Sequence, residues 1–134
     1  MKGPGVDGER TILIVDDDPG MLESFARLLR LSGYNVVTAL DAETGWSEIA
    51  RVHPDAILLD LRLPFMDGLA FLRRLRAQEK DRQLPVAIIT GDYFFDETIS
   101  HELHDLDARV YFKPLWLEEL VLIAQRLLGG SSPS

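Results

Sequence analysis

The chain predicts a doubly wound α/β fold, with five parallel strands alternating with five helices that cover both faces of one sheet. Three observations predict it. Short apolar runs without polar alternation recur along the chain, as strands buried on both faces require. Longer segments with apolar residues at helical spacing separate them. The runs end at Asp16, Asp60, Thr90 and Lys113, and in such sheets the functional crevice lies at the carboxyl ends of the strands.

The first run, TILIV, begins at Thr11 and meets Asp16. Leu22, Phe25, Ala26 and Leu29 then repeat at helical spacing, and Gly33 stands where a C-terminal cap belongs. YNVVTA is a second, shorter strand, and Asp41 is placed to cap a second helix carrying Trp46, Ile49 and Ala50. DAILL is the third strand and ends at Asp60, and Leu69, Leu72 and Leu75 mark the third helix. PVAII, the fourth strand, ends at Thr90. Phe95, Ile99, Leu103 and Leu106 give the fourth helix a usable stripe, although two phenylalanines and a threonine near its start weaken the local preference. RVYF leads to Lys113, and Leu117, Leu120, Val121, Ala124 and Leu128 mark the fifth helix. Residues 1–10 are rich in Gly, Pro and Asp, and GGSSPS at 129–134 has no apolar side chain to pack. One domain over 11–128 is therefore expected between flexible tails, the second being a natural end or a truncated linker.

A chain of 134 residues with 46% hydrophobic content suits a single core. No apolar run approaches the ~18 residues that span a bilayer, and MKGPGVDGER lacks the apolar centre of a signal peptide. A soluble, cytoplasmic protein is expected. The lack of cysteine excludes disulfides, thiolate metal sites and cysteine nucleophiles. A net charge of −8 argues against nucleic-acid binding, which needs clustered Lys and Arg. The basic run RRLRAQEKDRQ is broken by Glu79 and Asp81 and reads as a solvated helix face. His101 and His104, with Glu97, Glu102 and Asp105 nearby, also read as a solvated face rather than a metal site. His53, before a proline, reads as a structural turn residue. Trp46 is expected under the second helix and Trp116 in the core, with an exposed partner anchor as the alternative for Trp116.

VDDDPG divides by role. Pro19 favours the first helical position, so Asp18 is the expected N-cap. Asp16 and Asp17 remain in the strand-to-helix turn. Together with Asp60 they would bring three negative charges to one place, and like charges ~4 Å apart repel by about 4 kcal/mol at an effective dielectric near 20. Such a cluster calls for a cation, and an all-oxygen, partly open site suits Mg²⁺. A carboxylate beside Mg²⁺ and the Lys113 ammonium can attack phosphorus and become an acyl phosphate. Lys113 and the Thr90 hydroxyl can share the phosphoryl oxygens, and Gly91 leaves room beside them.

ILIVDDDP, ILLDLRLPFMDG, AIITG and YFKPL, in this order, resemble the receiver domain of two-component response regulators, of the chemotaxis-regulator kind. The resemblance covers about 11–128. It implies a flavodoxin-like (βα)5 fold with strand order 2-1-3-4-5 and a cis Lys113–Pro114 bond. It further implies Asp60 as phosphoacceptor, Asp17 as a direct Mg²⁺ ligand, Asp16 as a ligand often acting through water, and the Arg62 carbonyl in the metal shell. The implied partners are a histidine kinase or histidine phosphotransfer protein as donor, and an output partner or effector domain engaged through the fourth helix, fifth strand and fifth helix. A homodimer through that same face is a further expectation. The implied activity is self-phosphorylation and autodephosphorylation rather than turnover.

The sequence departs from the family's pattern at Val110, where an aromatic switch residue usually precedes the lysine by three positions; Tyr111 follows it. Repacking through Tyr111, Phe94 or Phe95 is expected in its place. Arg62 and Asp92, each two positions beyond Asp60 and Thr90, are expected at the rim as a pair that restricts attacking water, with two separate surface charges as the alternative. Two other functions compete. A phosphatase of haloacid-dehalogenase type would need a threonine or valine where Gly20 stands, and a cap for which the chain has little room. A binding module that has lost phosphorylation is opposed by the intact set Asp16, Asp17, Asp60, Thr90 and Lys113.

Overall fold

The structure is a computed structural model and describes residues 9–64, 66–91 and 97–129. Asp92, Phe94 and Phe95 lie outside the described residues. The order is β1 (Thr11–Val15), α1 (Pro19–Leu31), β2 (Asn35–Ala39), α2 (Ala42–Val52), β3 (Ala56–Leu59), α3 (Gly68–Ala77), a 3₁₀ turn (Glu79–Asp81), β4 (Val86–Thr90), α4 (Glu97–Asp105), β5 (Ala108–Phe112) and α5 (Leu117–Leu127). The five strands are parallel, in the order β2-β1-β3-β4-β5. The strand order therefore reverses between β1 and β3, and the switch point falls beside Asp16 and Asp60.

Local chemistry sets the helix boundaries. Asp18 accepts N–H bonds from Gly20 (3.0 Å) and Met21 (3.2 Å), and Pro19 opens α1. Ser32 caps the other end, and Gly33 takes φ 103°, a left-handed conformation that costs an L-residue but not glycine. Asp41 accepts from Thr44 N–H at 2.8 Å and Asp67 from Ala70 N–H at 2.9 Å, capping α2 and α3. The Lys113–Pro114 bond is cis.

Two apolar layers flank the sheet. One joins Leu13, Val15, Ile57 and Leu59 to α2, α3 and Leu103 of α4; the other joins Ile12, Ile14, Leu58 and Ile89 to α1 and α5. Period-2 alternation of side chains along each strand divides them. The central strands β3 and β4 are buried throughout, whereas the edge strands β2 and β5 keep exposed or half-buried positions, so continuous burial holds only for the inner part of the sheet.

Several expectations are corrected. Ala50 is exposed, and Ala42, Gly45 and Ile49 form the buried side of α2. In α5 the buried residues are Leu120, Ile123 and Ala124, while Leu117 points outward. Trp116 is 76% exposed rather than core; it lies just before α5, where its N–H bonds the Glu119 carboxylate at 2.8 Å. The basic run is not one solvated face: Arg76 is half-buried, Asp81 is buried, and the 3₁₀ turn interrupts the helix. Trp46 packs as expected, against Phe71 at 5.0 Å between ring centroids, with the Arg74 guanidinium 4.5 Å from its ring centre.

Phe71→Ala removes a fully buried ring and is expected to cost about 3–5 kcal/mol in urea unfolding. Leu122→Ala, at an exposed site, should stay within about 0.5 kcal/mol. Equal losses for the two would contradict this core.

Candidate functional site

The sheet ladder delivers the acidic residues to one point. Asp60 N–H bonds the Val15 carbonyl at 2.9 Å, and Asp16 N–H bonds the Ala39 carbonyl at 3.1 Å. Each aspartate is thus held one residue beyond its strand by the same parallel pairing that builds the sheet. Lys113 N–H bonds the Thr90 carbonyl at 2.8 Å, which brings the end of β5 alongside that of β4. Carboxylate oxygens of Asp16, Asp17 and Asp60 all lie within 4.8 Å of one another.

The Lys113 Nζ donates to Asp16 Oδ2 at 2.7 Å and to Asp60 Oδ2 at 3.2 Å. Asp60 Oδ1 accepts the Arg62 N–H at 3.2 Å, and Asp16 Oδ1 accepts the Asp18 N–H at 3.0 Å. Asp16 and Asp60 are 4% and 7% exposed, whereas Asp17 is open to solvent. Thr90 is fully buried at the end of β4. Asp60, Arg62, Thr90, Gly91 and Lys113 line an open cavity of about 350 Å³.

Burial pushes the Asp16 carboxyl above its ordinary value, and the Lys113 hydrogen bond, the Asp18 N–H and the Lys113 charge offset this only in part. Burial also opposes the charge on Lys113, but the hydrogen bond to Asp16 and the charges of Asp16 and Asp60 outweigh it, so its ammonium is held above the ordinary lysine range. One lysine cannot neutralise three carboxylates. The donor set, three hard oxygen-bearing groups of which one faces solvent, fits a divalent cation such as Mg²⁺.

Sequence reasoning assigned no role to Gly68, which seats α3 against the end of β3 at Asp60 and Leu61. Its N–H bonds the Leu61 carbonyl at 2.7 Å. A Cβ at this position would overlap the Asp60 carbonyl oxygen and lie 2.7 Å from Leu61 Cα. The available signal was the glycine directly after the Asp67 cap, where the first turn of a helix needs no glycine of its own. At Gly91 a Cβ would meet nothing within 4 Å, so the room there belongs to the mouth of the cavity and not to protein packing.

Val110 and Tyr111 face opposite layers. Val110 packs with the layer of α2, α3 and α4, and Tyr111 with that of α1 and α5. Tyr111 therefore lies across the sheet from Val110 and packs with a different layer. Arg62 stands exposed at the cavity rim; its expected partner Asp92 is outside the described residues. Among the described residues, Asp16, Asp17 and Asp60 form the clustered acidic group, and His101 and His104 join no such cluster.

A sequence profile described as the response regulator receiver domain matches residues 12–125. The chain belongs to that family. The receiver is 36% identical over 124 residues to the transcriptional regulatory protein PrrA of Mycobacterium leprae (strain TN), an alignment covering 92% of this chain and 52% of the relative. It is 38% identical over 125 residues to the response regulator MprA of Mycobacterium sp. (strain KMS), covering 91% and 52%. The crystal structure of the Vibrio cholerae chemotaxis protein CheY4 superposes with a TM-score of 0.82 at 25% identity, covering 90% of the receiver and 100% of that chain. The receiver spans about half the length of these curated relatives. No described helix is long and apolar enough to cross a membrane.

Lys113→Met should move the Asp16 carboxyl further up, because burial remains while a donor and a positive charge are lost. Carboxyl NMR titration of both proteins measures this. The sign for stability follows: with its folded pKa raised above the unfolded value, Asp16 favours folding most at low pH and loses that contribution as pH rises through the raised value. An Asp16 titration unchanged in Lys113→Met would contradict the bridge.

Proposed function

We propose that the receiver accepts a phosphoryl group on Asp60 from a phosphohistidine donor, and that the acyl phosphate changes its α4–β5–α5 face. The observation that carries this reading is the Lys113 ammonium held between Asp16 and Asp60 at the switch point of the sheet. In the transfer, an Asp60 oxygen forms a bond to phosphorus as the P–N bond of the phosphohistidine breaks, and the imidazole leaves with the electron pair. Lys113 moves from a carboxylate oxygen to a phosphoryl oxygen, and the Thr90 hydroxyl takes another. Asp16, Asp17 and Asp60, with the Arg62 carbonyl, are the residues that would hold Mg²⁺, whose contribution when bound is to neutralise charge on the phosphoryl oxygens. In hydrolysis a water oxygen bonds to phosphorus as the bond from Asp60 Oδ to phosphorus breaks, which releases inorganic phosphate and returns Asp60 to a carboxylate. In this reading the protein modifies itself and does not turn over an external substrate.

Donors of this class are sensor histidine kinases or histidine phosphotransfer proteins, and receiver domains of response regulators work with such kinases. Among the described residues, four of the six exposed large apolar side chains, Phe112, Trp116, Leu117 and Leu122, fall in β5 and the segment through α5, with Leu31 and Leu40 elsewhere, which supports that region as the output face for a partner, an effector domain or a second copy. Val110 would contribute by its packing against Leu103's layer. The pairing of Arg62 with Asp92 as a brake on hydrolysis belongs to the same proposal. A cytoplasmic location, and an independently folding unit over 11–128, complete it.

Incubation with acetyl phosphate and Mg²⁺ is expected to add one phosphoryl group by intact mass; Asp60→Asn and removal of Mg²⁺ should each abolish the gain. A wild-type protein that never gains that mass overturns the proposal. In the double variant Arg62→Ala/Asp92→Ala, the phosphoryl group should be lost faster than from the wild type, and equal rates would dispose of the brake.

A further inference from the structure

Helix α4 spans Glu97–Asp105, too short to persist without tertiary support, and arginines of α3 supply part of that support at its carboxyl end. Arg76, near the end of α3, donates Nε to the Leu106 carbonyl at 2.7 Å and Nη1 to the Leu84 carbonyl at 2.6 Å. The same guanidinium reaches the Asp81 carbonyl at 3.2 Å and the Asp107 carbonyl at 3.4 Å. One half-buried cation thus ties together the end of α3, the loop that enters β4 and the turn from α4 into β5. A cation at the carboxyl end of a helix also meets the negative end of its dipole.

A second arginine reinforces the tie. Arg73, one turn earlier on the same side of α3, holds Glu102 of α4 through both Nε and Nη2, the latter at 2.7 Å. Leu103 is fully buried beside it. Asp107 occupies the left-handed region at φ 60° although it carries a side chain; its carbonyl is one of those that Arg76 reaches, and the residue that follows begins β5. Towards the amino end, Glu97, Thr98 and Ser100 are exposed, and half-buried Ile99 packs against the apolar layer.

We infer that Arg76, assisted by Arg73, is a positioning residue that anchors the carboxyl end of α4 and the start of β5, so that α4 responds to Asp60 as a lever with its pivot at 102–107. The anchoring stands on geometry alone; the response rests on the reading that phosphorylation of Asp60 alters the output face. Movement is confined to the amino end of α4, which follows Thr90 in the chain. Both arginines belong to the stretch whose charge pattern alone reads as a solvated face. Two of its members carry this role because they sit one turn apart on the side of α3 that meets α4.

Hydrogen exchange of the full chain tests the two parts separately. Without phosphodonor, the protection of amides at 102–107 should fall at least about tenfold in Arg76→Ala, with those at 97–101 changing less, as expected for losing charge-assisted hydrogen bonds that resist local opening. Arg76→Lys should restore it only in part, because an ammonium cannot span carbonyls spread over separate segments. Should Arg76→Ala fail to fold, Arg73→Gln gives the same direction with a smaller change. Equal exchange at 102–107 in the wild type and in a folded Arg76→Ala overturns the anchor. With acetyl phosphate and Mg²⁺, and occupancy checked by intact mass, the wild-type change should be confined to 97–101 and should spread to 102–107 in Arg76→Ala. A change spread evenly over the wild-type helix overturns the pivot. Failure of Asp60 to gain phosphate overturns the reading of the site and leaves the exchange comparison without donor to decide the anchor.

Discussion

The arrangement of this receiver depends on holding like charges together at the end of a sheet. Three carboxylates within 4.8 Å of one another repel, and nothing about an isolated loop would keep them there. The Asp60 N–H to Val15 carbonyl and Asp16 N–H to Ala39 carbonyl bonds continue the ladder past the strands, so the cooperative pairing of β1, β2 and β3 opposes the repulsion. Lys113 then neutralises part of it from β5, the opposite edge of the sheet from β2. The site is therefore built into the register of the sheet, and a slip of one residue would point these side chains to other faces.

Close packing beneath Asp60 completes this frame. Gly68 lets the first turn of α3 lie against the Asp60 and Leu61 backbone without a side chain between them, and Asp67 caps that same turn. The helix that packs beneath Asp60 at its amino end carries Arg73 and Arg76 towards its other end, where they grip α4 and the turn into β5. One rigid element thus touches both the acidic cluster and α4. The two layers of the core keep these contacts apart from α1 and α5, which is why Val110 and Tyr111, adjacent in sequence, belong to different sides of the molecule.

Much of this was legible in the sequence because it rests on local rules. Uninterrupted apolar runs ending at Asp16, Asp60, Thr90 and Lys113 located the strands, and Asp18 with Pro19, Asp41 and Gly33 marked the helix limits through hydrogen bonds to near neighbours. Periodicity failed where partners decide exposure. Ala50 and Leu117 fit their helical stripes but face outward, and Trp116 projects into solvent because the chain turns into α5 at that residue.

By itself, the sequence determined the alternation of elements, the identity of the acidic and basic residues at the strand ends, and the chemistry those groups can perform. Only the tertiary structure decided that Lys113 bridges Asp16 and Asp60, that Gly68 must lack a side chain, and that Arg76 gathers carbonyls from segments remote in the chain. The physical reason is range: propensity, capping and side-chain period act between residues a few positions apart, whereas a bridge, a close approach and a shared guanidinium depend on distances fixed only when separate segments pack.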